Sequence, residues 1–317
     1  MNISSGSVRD WESAVDLIHQ SWRPGLEATV EYTPGLLSRL SKYPSDLPVL
    51  APAFYDDGDP FAFVIGFPRR VRLERQVRKL LLMSFFTVAP AHRGQGYGRS
   101  IWVECLRQAK NVGYDGVIHY CVEGNPSNQI TTAAAKSAGF EARRVFTVKF
   151  LMRMLRPATD EPAQPTPAEA LVDTCLFLKA SEGLNLEVPL VRQWSEAEAN
   201  WHLSSAGRLC FSDPTGGVLS GIVQRSADAA HNPCLSIEDV LWGRLTSEAR
   251  GMLLDCLMRR ASQVASFAVV PMLGYADLSP FLAAGFRRSP RLIHAYLTLW
   301  DTSANFRDFS GMYLDIL

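Results

Sequence analysis

The stretch from Leu80 to Val112 constrains this chain more than any other. Leu80-Leu81-Leu82-Met83-Ser84-Phe85-Phe86-Thr87-Val88 is an almost unbroken apolar run, which predicts a buried strand. Ala89-Pro90-Ala91-His92 ends it, because Pro90 cannot donate to a sheet ladder. Arg93-Gly94-Gln95-Gly96-Tyr97-Gly98 comes next. From Tyr97 onward, Ile101, Val103, Cys105, Leu106, Ala109 and Val112 recur at roughly helical spacing. A strand, a glycine-rich turn and a helix together collect free backbone N–H groups at a helix N-terminus. That end also carries about half a positive charge from the macrodipole. A phosphate or pyrophosphate is the natural occupant.

Spacing selects among phosphate-binding patterns. The Walker loop requires Lys-Ser/Thr after its last glycine, and no lysine follows Gly98. The dinucleotide fingerprint requires Gly-x-Gly-x-x-Gly, which Gly94, Gly96 and Gly98 do not match. Arg93-x-x-Gly96-x-Gly98 fits Arg/Gln-x-x-Gly-x-Gly/Ala and resembles the pyrophosphate loop of the GNAT superfamily of acyl-CoA-dependent acyltransferases. Phe86 to Pro90 resembles that family's fourth strand entering the loop, and Gly116 to Val122 its fifth strand. Asn128 resembles the asparagine that opens the next helix, and Gly139-Phe140 the pair that ends it. The resemblance covers roughly residues 1–155.

The resemblance implies an α/β (α+β) fold with a mixed, mostly antiparallel sheet and flanking helices. Its fourth and fifth strands splay, and pantetheine lies between them like a missing strand, pairing near Phe86, Thr87 and Val88. Arg93, Gly94, Gln95, Gly96, Tyr97, Gly98, Arg99 and Ser100 hold the pyrophosphate, with Asn128 beside the arm. A fourth-strand N–H polarises the thioester, and an amine attacks directly. The implied cosubstrate is acetyl-CoA or another acyl-CoA.

Composition bounds the rest. At 317 residues the chain suits two domains, and 47% hydrophobic with 20% charged residues suits packed cores. Lys plus Arg and Asp plus Glu are 32 each, which disfavours nucleic acid as a partner. No apolar run approaches the roughly 20 residues of a membrane span, and Met1 to Ser7 lacks signal-peptide character. The six cysteines form no C-x-x-C pair, and the histidines show no metal-ligand spacing. The expectation is a cytoplasmic monomer or homodimer without a metal.

Ser7 is expected to cap a helix over 8–21, and Thr33-Pro34 to open a second. Residues 47–55 and 60–71 read as strands joined by Asp56-Asp57-Gly58-Asp59, with Gly66 marking a bulge. Arg69, Arg70, Arg72 and Arg75 read as a solvated hairpin end or as partners of the adenosine 3′-phosphate. Four prolines within 156–167 predict an extended linker. Beyond it, from 168 to 317, the pattern repeats: Ala138-Gly139-Phe140 recurs as Ala284-Gly285-Phe286. Thr246 can cap a helix over 247–262, strands are expected near 208–211, 218–224, 266–270 and 292–300, and a hairpin at 213–217. Val240 to Thr246 stands where the first copy has its glycine loop, so the second domain is expected to be a degenerate GNAT-like copy that does not bind CoA.

Candidates for proton transfer are less defined. The position of the family's usual tyrosine is Ala135. Glu123, at the end of the predicted fifth strand, is the first candidate base, and His119, on the same face, a possible relay. His19, Tyr55, Asp56 and Asp57 lie on elements that often border the acceptor site. Glu238 and Asp239 are candidates for holding a cationic acceptor. The leading reading is acetyl transfer from acetyl-CoA to a small-molecule amine. The alternatives are an O-acyl or longer-chain acyl transferase on the same fold, and a CoA-binding regulator without chemistry.

Overall fold

The computed structural model describes residues 3–22, 31–73, 75–155, 173–184, 188–225, 232–301 and 308–315. The Pro-rich linker at 156–167 and the start of the second domain at 168 lie outside the described residues. The chain divides into two compact units: Met1–Thr147 with Ile293–Phe309 and Leu317, and Val148–Leu292 with Ser310–Ile316.

The first unit contains β1 (Ile3–Ser7), α1 (Trp11–Trp22), α2 (Pro34–Ser41), β2 (Pro52–Asp56), β3 (Asp59–Leu73), β4 (Gln76–Val88), α3 (Tyr97–Asn111), β5 (Gly116–Val122) and α4 (Ser127–Ser137). β6 (Arg143–Met154) begins in it. Thr33 caps α2 with Pro34 in the first turn, as its sequence implies. α1 differs from expectation. Asp10 rather than Ser7 accepts from the amides of Glu12 and Ser13 (3.2 and 2.8 Å), while Ser7 pairs with Pro52 in the sheet. A carboxylate so placed also complements the helix dipole. The β2–β3 turn has Asp57 at φ 50° and Gly58 at φ 102°, the paired positive angles of a tight hairpin.

Gly66 serves close packing rather than a bulge, since a Cβ there would fall 2.5 Å from the Leu81 side chain. The bulge is in β4. Phe63 pairs with Thr87 and Ile65 with Ser84, so Phe85 and Phe86 together oppose Val64.

The second unit continues with α5 (Thr174–Glu182), β7 (Leu190–Arg192), α6 (Glu196–Leu203), β8 (Arg208–Ser212), β9 (Val218–Arg225), β10 (Pro233–Leu241), α7 (Ser247–Ala261), β11 (Phe267–Met272) and α8 (Ser279–Ala283). Then come β12 (Arg287–Leu299) and β13 (Met312–Tyr313). Apart from β7, which lies between its two helices, its order of two helices and a β-β-β-α-β-α series repeats that of the first unit.

In the first unit the strand order is β1-β2-β3-β4-β5-β12, antiparallel except for β4 and β5. In the second it is β6-β11-β10-β9-β8, antiparallel except for β10 and β11. The closing strands are therefore exchanged. Ile293–Leu299 pairs with Gly116–Val122 in the first unit, and Leu151–Met154 pairs with Phe267–Val270 in the second. The compact units consequently do not follow the sequence division at residues 155 and 168. Among the described residues, no helix is long and apolar enough to cross a membrane.

Candidate active site

β4 and β5 pair in parallel only from Leu80–Met83 against Gly116–His119. Beyond Met83 and His119 they diverge, and a fork opens toward the C-terminal ends of both strands. In a closed sheet these central residues would all be buried. Here Ser84, Phe86 and Val88 on β4 and Tyr120 and Val122 on β5 keep partial exposure, while their neighbours Phe85, Thr87 and Cys121 are buried. The fork thus has the open backbone edge that the family resemblance implies.

At its wide end the chain makes a short 3₁₀ turn at Pro90–His92 and enters α3. Gly94 (φ 77°) and Gly96 (φ 86°) take left-handed angles that residues with a Cβ adopt only with strain. Gly96 is the N-cap and has no side chain to satisfy the first amides of α3. Within the helix they have no acceptor, as at any helix N-terminus.

The side chains of the loop bind the protein. Arg93 donates to the carbonyls of Val88 (Nε, 3.2 Å) and Ser21 (2.8 Å), fastening the loop to the ends of β4 and α1. Gln95 Nε2 donates to the Ala91 carbonyl (3.0 Å), and the Arg99 guanidinium to the Ser137 hydroxyl. Ser100 Oγ lies against the Gly96 carbonyl. Thr87 turns its hydroxyl back onto the Phe85 carbonyl (3.0 Å). Arg93, Gln95, Thr87 and Arg99 are therefore engaged with the protein through their side chains. Tyr97 packs its ring on Phe61, itself stacked on His92 at 4.2 Å. Asn128 is in the first turn of α4, but Asn125 caps that helix by accepting from the Ser127 amide (2.9 Å).

The fork apex is lined by aromatic rings on both faces. On the α3 side, Phe86 meets Trp102 (5.3 Å), and His119 lies between Trp102 and Tyr296 (4.9 and 5.3 Å). Tyr296 comes from the exchanged strand β12 and is the register partner of His119. On the opposite side Phe85 meets Tyr32 and Phe67 (5.0 and 6.0 Å). Phe85 has φ 55°, an outlier for a bulky residue.

His119 is only 2% exposed, its Nε2 is 3.1 Å from Thr131 Oγ1, and burial drives its pKa down to about 3. A proton there at neutral pH would be a buried, poorly solvated charge, so the structure argues against a relay role and for packing. Glu123 is four residues beyond His119 on β5, which at about 3.3 Å per residue puts it about 13 Å past the apex. It is exposed at the wide end and faces His294 (3.6 Å), whose other ring nitrogen meets Thr147 (3.0 Å). The strand register therefore separates Glu123 from the apex.

Several further candidates are engaged by the fold. Tyr55 bonds the Ser7 carbonyl (2.7 Å), and Asp56 faces His92 at 3.5 Å. Arg70 and Lys79 share Asp46 at the closed end of the β3–β4 hairpin (3.1 and 3.4 Å). Lys79 and its register partner Arg70 are nine residues of β4, about 30 Å, from Val88 at the loop end, so these cations cannot meet a phosphate held at the loop.

In the second unit, β10 and β11 also pair only briefly, at Cys234–Ser236 against Phe267–Val269, and β10 has a bulge between Ile237 and Asp239. Its fork is filled by the chain itself. Tyr275 accepts from the Val240 amide (3.1 Å), and Trp242 donates to the Asp277 carbonyl (2.7 Å). Asp239 is buried and takes bonds from His202 (2.8 Å), Tyr313 (2.7 Å) and Ser220. Glu238 pairs with Arg208 at 2.6 Å. Burial pushes the Asp239 carboxyl up, but His202, Arg208 and Ser220 outweigh it and hold it at about 2. Neither carboxylate is left for a cationic acceptor.

Residues 11–140 match the Acetyltransferase (GNAT) family. No curated protein matches the sequence. Among solved structures, Saccharomyces cerevisiae N-myristoyltransferase with bound myristoyl-CoA aligns over 100% of this chain and 86% of its own, with TM-score 0.74 and 11% identity. A second structure of that enzyme, with bound myristoyl-CoA and inhibitors, aligns over 99% and 86%, with TM-score 0.72 and 12% identity. A third, with bound myristoyl-CoA, aligns over 99% and 89%, with TM-score 0.70 and 11% identity. At such identities the likeness is one of fold.

Proposed function

Taking residues 11–140 as a GNAT acyltransferase domain, we propose that the protein transfers an acetyl group from acetyl-CoA to the amine of a small molecule. One observation carries the reading: the β4–β5 fork opens onto the glycine-capped, side-chain-free start of α3. Pyrophosphate sits on the amides of Gly94 to Arg99, and pantetheine runs down the fork along Phe86 and Val88. Val88 offers less than a free strand edge, because its carbonyl already accepts from Arg93 and Ser21. The thioester reaches the apex near Ser84 and Phe85, where the bulge turns backbone N–H groups out of the β3 ladder. One of them polarises the carbonyl. The amine attacks from the Tyr120 side, the tetrahedral intermediate collapses, and the C–S bond breaks. The thiolate takes its proton from solvent, since Ala135 supplies none and His119 stays neutral. Solvent or the acceptor's own equilibrium supplies the free amine. The second unit acts as a degenerate copy in which Tyr275 and the Asp239 cluster stand in place of a ligand.

The fold neighbours crystallised with myristoyl-CoA favour a second reading, transfer of a longer acyl chain on the same fork.

Thermal shift with acetyl-CoA tests the reading. A ligand that binds the native state at 100 times its Kd stabilises it by about 2.7 kcal/mol. The wild type should show such a shift, and a Gly96→Glu, Gly98→Glu double variant should lose it while still melting cooperatively. An equal response in both proteins would place the ligand elsewhere.

A further inference from the structure

The one strained, buried side chain at the fork is Phe85. Among the described residues only Asp57 and Phe85 have positive φ without being glycine, and Asp57 lies in a hairpin turn that calls for it. Phe85 is 5% exposed in the middle of a long strand. Left-handed geometry in a bulky residue is strained and persists where surrounding packing enforces it. Here the enforcement is visible. The bulge places Phe85 two residues past the last β4–β5 pair and turns its ring away from Phe86, onto Tyr32 and Phe67.

An acyl group attached to a thioester at the apex must leave the sheet plane on one face or the other. The α3 face is closed by Trp102 and His119, each 2% exposed, with Tyr296 stacked behind. On the other face lies the buried Phe85 ring, with the partly exposed Ser84 and Tyr120 alongside. The α3 wall is backed by its own ring stack, which leaves the Phe85 side as the one where a longer chain would need room.

Resting on the acyl-CoA reading above, we propose that Phe85 sets the acyl-chain length of the donor and restricts it to short acyl groups. The strained backbone aims the ring across the exit, and the edge-on contact with Tyr32 holds it there.

Binding tests this without knowledge of the acceptor. CoA, acetyl-CoA and octanoyl-CoA are titrated calorimetrically into the full-length wild type, Phe85→Gly and Tyr32→Ala. Glycine removes the ring and accepts the positive φ without strain. Tyr32→Ala removes the brace and leaves the bulge intact, so it carries the test if Phe85→Gly does not fold. The wild type is expected to bind acetyl-CoA at least as tightly as octanoyl-CoA. Phe85→Gly should move the octanoyl-to-acetyl affinity ratio about tenfold toward octanoyl, 1.4 kcal/mol, with CoA binding unchanged, and Tyr32→Ala should move it the same way by less. A wild type that prefers octanoyl-CoA, or a ratio that stays fixed in the folded variants, overturns the proposal and leaves the donor site standing. Failure of all three CoA species to bind the wild type overturns both.

Discussion

The helices α3 and α7 follow similar strands and begin differently. Each follows a bulged strand that parts from its parallel neighbour. α3 starts on Gly96, which has no side chain to offer its amides. α7 starts on Thr246, whose hydroxyl accepts from the Ala249 amide at 3.2 Å. The forks beneath them differ in the same sense: partly exposed along β4, and closed by Tyr275, Trp242 and the Asp239 cluster along β10. The same topology can leave its polar backbone to an external anion or satisfy it internally. A few residues at the strand-to-helix junction decide between the two.

Substitutions in the second unit should therefore change stability and spare the acetyl-CoA response, while those in the α3 loop should do the reverse. The largest stability effect is expected from Asp239→Ala. It strips the acceptor from His202, Tyr313 and Ser220 and leaves Arg208 with Glu238 and the Ser220 hydroxyl. Breaking a buried charged network costs about 3–5 kcal/mol, readable in urea unfolding. A loss under about 1 kcal/mol would mean that the cluster does not hold the unit together.

Acid has the next largest effect, through His119 in the first unit and His202 in the second, both held below the ordinary imidazole value by burial. His119 has a depressed folded pKa, so below about 6.5 the unfolded chain binds a proton that the folded chain refuses. Stability should fall from pH 6.5 toward pH 3, by a few kcal/mol at most, and His119→Phe should flatten that limb. Asp239 acts lower. Its contribution is full above its unfolded value of 3.8 and disappears as pH falls through about 2. Equal slopes for wild type and His119→Phe between pH 6.5 and 4 would contradict the buried, neutral state of this ring.

Tyr275→Phe comes third. It leaves the Val240 amide without its hydroxyl acceptor, a cost of about 1–3 kcal/mol. If it also creates a second acyl-CoA site, detected as a change in calorimetric stoichiometry, the filled fork is a blocked site rather than a remodelled one. The smallest effect is Thr246→Ala, about 1 kcal/mol for a lost cap, with the acetyl-CoA shift intact.

Much of this was legible in the residues. The run from Leu80 to Val88, the glycines to Gly98 and the helical spacing after Tyr97 identified β4, the loop and α3, because hydrophobic period and glycine chemistry are local properties. Thr33 and Thr246 were readable as caps for the same reason. Ser7 misled because Asp10, three residues on, is an equally good cap, and only the pairing of β1 with β2 takes Ser7 away. Glu123 and His119 share a face in sequence. Their distance from the apex and their burial depend on where β4 stops pairing and on what α3, α4 and β12 lay over them. The bulge at Phe85 left no mark in the sequence, since its φ is imposed by the β3 register and the packing of Tyr32 and Phe67.

By itself, then, the sequence determined the strand, glycine turn and helix that build the first unit's fork, and a helix start capped by glycine. The tertiary structure decided which strand closes which sheet. β6 and β12 each complete the other half's sheet rather than their own. A strand edge presents the same row of amides and carbonyls to any neighbour. Alternation reveals which side chains face inward, whereas the choice of neighbour is fixed only when the whole chain has packed.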